Sequence, residues 1–252
     1  MPFIDTHLHL EELDDPEGAV AEAVGAGVTR LVAMGTDLAT SQGAVDFAGR
    51  LPAVYAAAGH HAANERDPDL AAFRRLLAHP RVVAIGEVGI DGSPDPEYPQ
   101  LERQLGWFGS MCDLALEFGL PVCVHVRESE EHVYRVLKAR PGLTGVMHYF
   151  ALGQEWAERF LALGLHLSFA GLVTRASRAE LREVARRCPA DRLLLETDSP
   201  FGLPAARKRE RQNRPAFLVD TAAVVAELRG ISLEELGEIE TSNAIALFRR
   251  IR

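Results

Sequence analysis

Residues 82–126 read VVAIGEVGIDGSPDPEYPQLERQLGWFGSMCDLALEFGLPVCVHV, and their order decides the fold class. A β-branched apolar run (82–90) precedes a long apolar-periodic stretch that ends in glycine (96–119). A second β-branched run (121–126) follows. This strand, helix, strand order predicts two parallel strands joined by a crossover. Working outward, the same alternation covers the chain, with further strands predicted at 3–10, 29–36, 53–60, 144–150, 165–170 and 193–198. Asp15 and Pro16 open a helix that Gly27 closes, and others are predicted at 38–50, 67–78, 129–139, 153–163, 176–187, 215–229 and 232–250. Eight strands fit a closed (β/α)8 TIM barrel, for which ~250 residues is typical. An open doubly wound sheet is the competing arrangement, because periodicity alone does not show closure.

Composition narrows the class. The 252 residues are 47% apolar and 25% charged, which suits one globular domain spanning 1–252 and excludes disorder, collagen and coiled coil. No apolar run approaches the ~20 residues a membrane span needs, so no membrane association is expected. The opening MPFIDTHLHL lacks a basic segment followed by an apolar one, which predicts a cytoplasmic protein. Cys112, Cys123 and Cys188 are odd in number and without metal-type spacing, and are expected as buried thiols. Net charge is −9, which argues against a protein that coats nucleic acid with its whole surface but leaves room for a local basic site. Gly25 and Gly27 lie at a helix end without the third glycine of a dinucleotide loop. Phosphate-loop, serine-hydrolase and zincin motifs are absent.

The chemistry collects at the C-terminal ends of the predicted strands, the active face of such a barrel. His7, His9, Glu87, His125, His148 and Asp198 come from five strands. Period-two geometry turns His7 and His9 the same way, with Asp5 below and with Thr6, Leu8 and Leu10 toward the helices. Glu87 lies in an apolar strand where an unpaired carboxylate is costly, so a cation or an arginine is required. Its two oxygens could bridge two ions. Taken singly, His125 and His148 read as structural residues, Glu87 as half of an ion pair and Asp198 as the start of a turn. Jointly the six predict a metal site.

The chain resembles the TatD family of metal-dependent hydrolases, within the amidohydrolase-type barrels. The resemblance rests on DTHLHL at 5–10, Gly59-x-His61, GEVGID at 86–91, PVCVHVR at 121–127, GVMHYF at 145–150, ETDSP at 196–200, Asn213-x-Pro215, and Asn243 with Phe248. It implies two divalent ions, zinc, magnesium or manganese, with His7, His9 and Asp198 on one, His125 and His148 on the other, and Glu87 bridging. It also implies phosphodiester hydrolysis, as in 3′-5′ degradation of DNA. His61 matches a histidine near the scissile phosphate, so Asp198, Glu87 and His61 form the expected catalytic set. The sequence departs from the family pattern at Ala62, where proline is usual, at Tyr149, where cysteine is common, and in GSPDPEYP after Asp91.

The basic loop at 205–214 is the expected DNA contact, with Arg207, Lys208, Arg209, Arg211 and Arg214 acting as a group and Asn213 among them. Arg127 shares a strand face with His125 and is expected to touch phosphate. Glu196 and Cys123 are expected to support the site and the core respectively. His79, His132 and His166 carry no pattern. Two other functions remain open at this point: hydrolysis of an ester or amide, such as the aminoacyl bond of a D-aminoacyl-tRNA, and a scaffold that holds metal only for stability.

Overall fold

The computed structural model describes residues 2–94 and 98–252. Its strands run β1 (Phe3–Leu8), β2 (Val28–Met34), β3 (Val54–Ala58), β4 (Val82–Asp91), β5 (Val122–Arg127), β6 (Gly145–Met147), β7 (His166–Phe169) and β8 (Leu193–Leu195). All neighbours pair in parallel in the order β1 to β8. Helices α1 (Pro16–Gly25), α2 (Leu38–Arg50), α3 (Leu70–Leu77), α4 (Leu101–Phe118), α5 (Glu130–Lys138), α6 (Gln154–Ala162) and α7 (Ala179–Arg187) fill the crossovers, and α8 (Leu218–Arg229) and α9 (Leu233–Leu247) follow β8. The predicted start of α4 at Pro96 lies outside the described residues.

Local chemistry sets the boundaries. Asp15 and Asp69 cap α1 and α3 by accepting from Gly18 N and Ala72 N, and Asp37 with Thr40 forms a reciprocal capping box on α2. Gly119 and Gly230 end α4 and α8 in left-handed conformations.

Closure distinguishes the barrel from an open sheet. β8 and β1 share no regular ladder, yet Asp198 N donates to His7 O at 2.9 Å and His9 N to Ser199 O at 2.8 Å. Thr6 is not turned to the helices as period two predicts. Its hydroxyl donates across this seam to Leu195 O at 2.8 Å and sits 3.3 Å from Ser168 Oγ. The cause is a register irregularity in β1 between Asp5 and Leu8, which breaks strict alternation. On the α9 side, Ile4 N donates to the buried carboxyl group of Glu240 at 3.1 Å. Ala244, Leu247, Phe248 and Ile251 pack with Val32, Tyr55, Val83, Cys123 and Leu194 in one apolar cluster, so the chain's end fills one end of the barrel. All three cysteines are buried and unpaired.

Candidate metal centre

β1, β3, β6 and β8 stop short of their predicted ends, and this places much of the site. His9, His61, His148 and Asp198 all lie just past β1, β3, β6 and β8, on backbone that has left the ladder. Tyr149 (φ 44°) and Asp198 (φ 56°) are left-handed without being glycine. Such conformations cost of order 1–3 kcal/mol each and persist only where surroundings hold them. Tyr149 N is held by Glu196 Oε1 at 2.6 Å, and Asp198 N by His7 O. Asp5 receives Thr197 N at 2.9 Å and its hydroxyl, and burial pushes the Asp5 carboxyl up to about 8 despite those donors. The Asn213 amide donates to Thr197 O at 2.8 Å and its oxygen accepts from Arg214 N. Asn213 is buried, so it is a clamp on the Asp198 turn and not the substrate contact expected of it.

Glu87 stands at the middle, buried on β4. Its Oε2 lies 3.5 Å from Nε2 of both His7 and His9, and Asp198 Oδ1 lies 3.7 and 3.5 Å from the same nitrogens. Its Oε1 faces the other way, 3.0 Å from His125 Nδ1, 3.0 Å from His148 Nε2 and 3.4 Å from His61 Nε2. All six predicted ligands therefore meet in one place, divided by the two oxygens of one carboxylate. The spacing suits cations. Bonds of about 2.1 Å separate two ligand atoms by about 3.4 Å at a tetrahedral angle and about 3.0 Å at a right angle. Neither ring nitrogen of the buried His7 has a hydrogen-bond partner among the described residues, and a cation would take up the Nε2 lone pair by coordination. The imidazole and carboxylate donors form groups able to hold a metal ion.

Outer partners sort the imidazoles by tautomer. His125 Nε2 lies 3.1 Å from Asp91 Oδ2, and His148 Nδ1 3.2 Å from Glu196 Oε1. Carboxylates there hold an N–H on each of those atoms, so His125 Nδ1 and His148 Nε2, each 3.0 Å from Glu87 Oε1, are the nitrogens that would give their lone pairs to a cation. His61 is the reverse. Its Nδ1 accepts from Ala63 N at 3.2 Å, so the neutral ring carries its proton on Nε2, inside the cluster. In that tautomer it is a donor whose Nε2 lies 3.4 Å from Glu87 Oε1. Electrostatics follow from burial among opposite charges. Burial holds His7 and His61 down at about 4. His9 is equally buried, but Asp198 and Glu87 overcome that and lift it to about 9. Burial works to raise Glu87, yet His148, His61 and His125 keep its carboxyl well below the usual range.

Asp91, not anticipated as a functional residue, was accessible to the same alternation: it shares parity with Glu87 through Gly89. A side chain at Gly89 (φ 153°) would strike the His125 backbone, with a Cβ 2.0 Å from its carbonyl oxygen. Glu196 supports His148 as expected. His60 points away from His61 and packs edge-on against Trp107. His79, His132 and His166 join no ligand grouping among the described residues.

The centre floors a cleft of about 840 Å³ whose walls include Tyr98, Arg127, Tyr149, Arg178 and Phe201. The basic loop does not line it. Arg207 is turned to Asp220 at 2.7 Å and lies over the Phe217 ring, Arg211 pairs with Asp14, and Arg214 reaches Glu22 at 3.1 Å. Adjacency to Asp198 in sequence did not become adjacency at the mouth, because acids on α1, α8 and the segment before α1 draw these side chains outward. Arg127 and the unanticipated Arg178 line the cleft instead, with no ion pair to either among the described residues.

The family model described as TatD related DNase matches residues 4–249. The chain belongs to the TatD family. It is 36% identical over 255 residues to the metal-dependent hydrolase YabD of Bacillus subtilis (strain 168), covering 98% of this chain and 99% of that protein. It is 40% identical over 245 residues to the 3′-5′ ssDNA/RNA exonuclease TatD of Erwinia billingiae (strain Eb661), covering 93% of each. The crystal structure of YJJV, a TatD homolog from Escherichia coli K12, superposes with a TM-score of 0.90 at 30% identity, covering 98% of each chain. This TatD protein is a metal-dependent hydrolase on a TIM barrel. No helix among its described residues is long and apolar enough to cross a membrane.

Proposed function

We propose that this TatD protein is a two-metal nuclease that removes nucleotides from the 3′ end of single-stranded DNA. The observation that carries the reading is the division of Glu87, whose Oε2 faces His7 and His9 while Oε1 faces His125 and His148. His7, His9 and Asp198 would hold one cation, His125 and His148 the other, and Glu87 both. Bound there, divalent ions supply water activation at neutral pH and neutralise charge gathering on the phosphoryl oxygens.

The chain's own groups account for the rest. Asp198 lines the cleft and takes the proton of the attacking water as its oxygen bonds to phosphorus. The bond from phosphorus to the 3′ oxygen breaks, and that departing oxygen, hydrogen-bonded by the His61 Nε2–H, takes a proton from solvent water in the cleft to leave as a hydroxyl. Arg127 and Arg178, free of protein carboxylates among the described residues, grip flanking phosphates. A net charge of −9 restricts this attraction to the cleft.

The test is nucleotide release from a single-stranded oligonucleotide in manganese by wild type and Glu87→Ala, beside a D-aminoacyl-tRNA. Wild type is expected to shorten the DNA from its 3′ end and Glu87→Ala to lose the second cation and nearly all turnover. Full metal-dependent turnover in the variant, or hydrolysis of the aminoacyl ester with DNA untouched, overturns the proposal.

A further inference from the structure

Phe201 is the one aromatic among the large apolar side chains that stand exposed in the described structure, at 51%. It lies three residues after Asp198, at the rim of the metal centre, with its ring centroid 5.9 Å from that of His9. The turn that carries it is fixed on both sides. Phe201 N donates to Asp198 O at 2.8 Å, and the next residue, Gly202, is left-handed (φ 67°) and so close to Tyr149 that a Cβ would lie 2.9 Å from its ring. The backbone is therefore set by the same turn that sets Asp198, while the side chain stays in solvent beside the reacting groups. The same cleft carries Arg127 and Arg178. A flat apolar ring beside cations that lack protein partners among the described residues matches a chain of alternating bases and phosphates. Stacking on an aromatic face is indifferent to which base is present.

We infer that Phe201 is a nucleobase subsite, on which a base next to the scissile phosphate stacks and so favours single-stranded ends, whose bases are free. The inference rests on the proposed nuclease function and names its substrate-gripping surface. A base held in a duplex has both faces occupied by its neighbours and cannot take this position without unstacking.

The experiment is a cycle between protein and substrate. Wild type, Phe201→Ala and Phe201→Trp are bound, in manganese, to phosphorothioate oligothymidylates that resist hydrolysis. These carry either every base or a single abasic residue at the terminal or penultimate position, and turnover of ordinary oligothymidylate is measured alongside. Stacking is worth about 1–3 kcal/mol per base, so Phe201→Ala is expected to weaken binding of the complete strand by about 5- to 150-fold. It should cause no further loss on the strand that is abasic at the contacted position, and Phe201→Trp should bind like wild type. Equal losses on complete strands and both abasic strands, or no loss at all, overturn the subsite. Wild type that binds with this coupling but cuts nothing overturns the nuclease reading and leaves the stacking surface supported. Wild type that binds no strand overturns both.

Discussion

Replacing Asp91 by asparagine tests the tautomer logic of the metal centre. Asp91 is buried, with Oδ2 3.1 Å from His125 Nε2 and Oδ1 accepting from Ser93 N at 2.9 Å. An asparagine can keep the Ser93 bond with its oxygen, which turns its NH₂ toward His125. The imidazole then has to accept at Nε2, and its proton moves to Nδ1, the atom 3.0 Å from Glu87 Oε1. The lone pair that would bind a cation is lost. Outer partners of this kind are worth about 10- to 100-fold in metal affinity, or about 1.4–2.7 kcal/mol. Calorimetric titration of metal-free protein with zinc at neutral pH should show two classes of site in wild type. In Asp91→Asn one class should weaken by that factor, while the class built on His7, His9 and Asp198 keeps its affinity. The melting temperature of the metal-free variant reports whether the fold survives. Equal weakening of both classes, or unchanged affinity in both with the fold intact, would refute the reasoning.

The other expectations follow from the same structure. Asn213→Ala leaves Thr197 O without its buried donor, at a cost of about 1–3 kcal/mol, which lowers the melting temperature by roughly 2–12 °C. Turnover should fall with KM unchanged, whereas a raised KM at an unchanged melting temperature would return Asn213 to the role of substrate contact. Arg207→Ala with Arg211→Ala should leave oligonucleotide affinity within about twofold. Arg127→Ala with Arg178→Ala should weaken it and shallow its logarithmic salt dependence by about 0.7 for each phosphate no longer neutralised, and the opposite ranking would restore the basic loop. Burial drives the Glu240 carboxyl well above its usual range, outweighing the amide of Ile4, so the folded protein holds a proton there that the unfolded chain releases above the ordinary carboxyl range. That contribution is complete at low pH and declines as pH rises, by up to about 1.4 kcal/mol per pH unit. Glu240→Gln should therefore be more stable than wild type at mildly alkaline pH and show a flatter profile in chemical denaturation. Identical profiles would mean that Glu240 is ionised in the folded state.

Much of the molecule was legible along the chain because it is periodic. β-branched runs alternating with helices specify parallel crossovers, and α2 lies at 38–50 as predicted, opened by the Asp37–Thr40 capping box. The convergence of the six imidazole and carboxylate side chains was legible too, since five strands would seldom deliver such groups to one rim by accident. Side-chain direction off the strands was less legible. Thr6 turned across the seam because β1 is irregular, and Arg207 and Arg211 turned outward because Asp220 and Asp14, distant in sequence, lie beside them in space.

Hydrophobic period and ligand chemistry are properties of short segments, so the eight parallel strand–helix units, the six candidate ligands and the resemblance to the TatD family can all be read along the chain. Closure of the sheet, the pairing of each Glu87 oxygen with its histidines, the tautomer of each imidazole and the choice of arginines at the cleft arise in the folded molecule. Those outcomes depend on partners tens to hundreds of residues away, such as Asp91 for His125 and Glu196 for His148, and such pairings exist only once the barrel has closed.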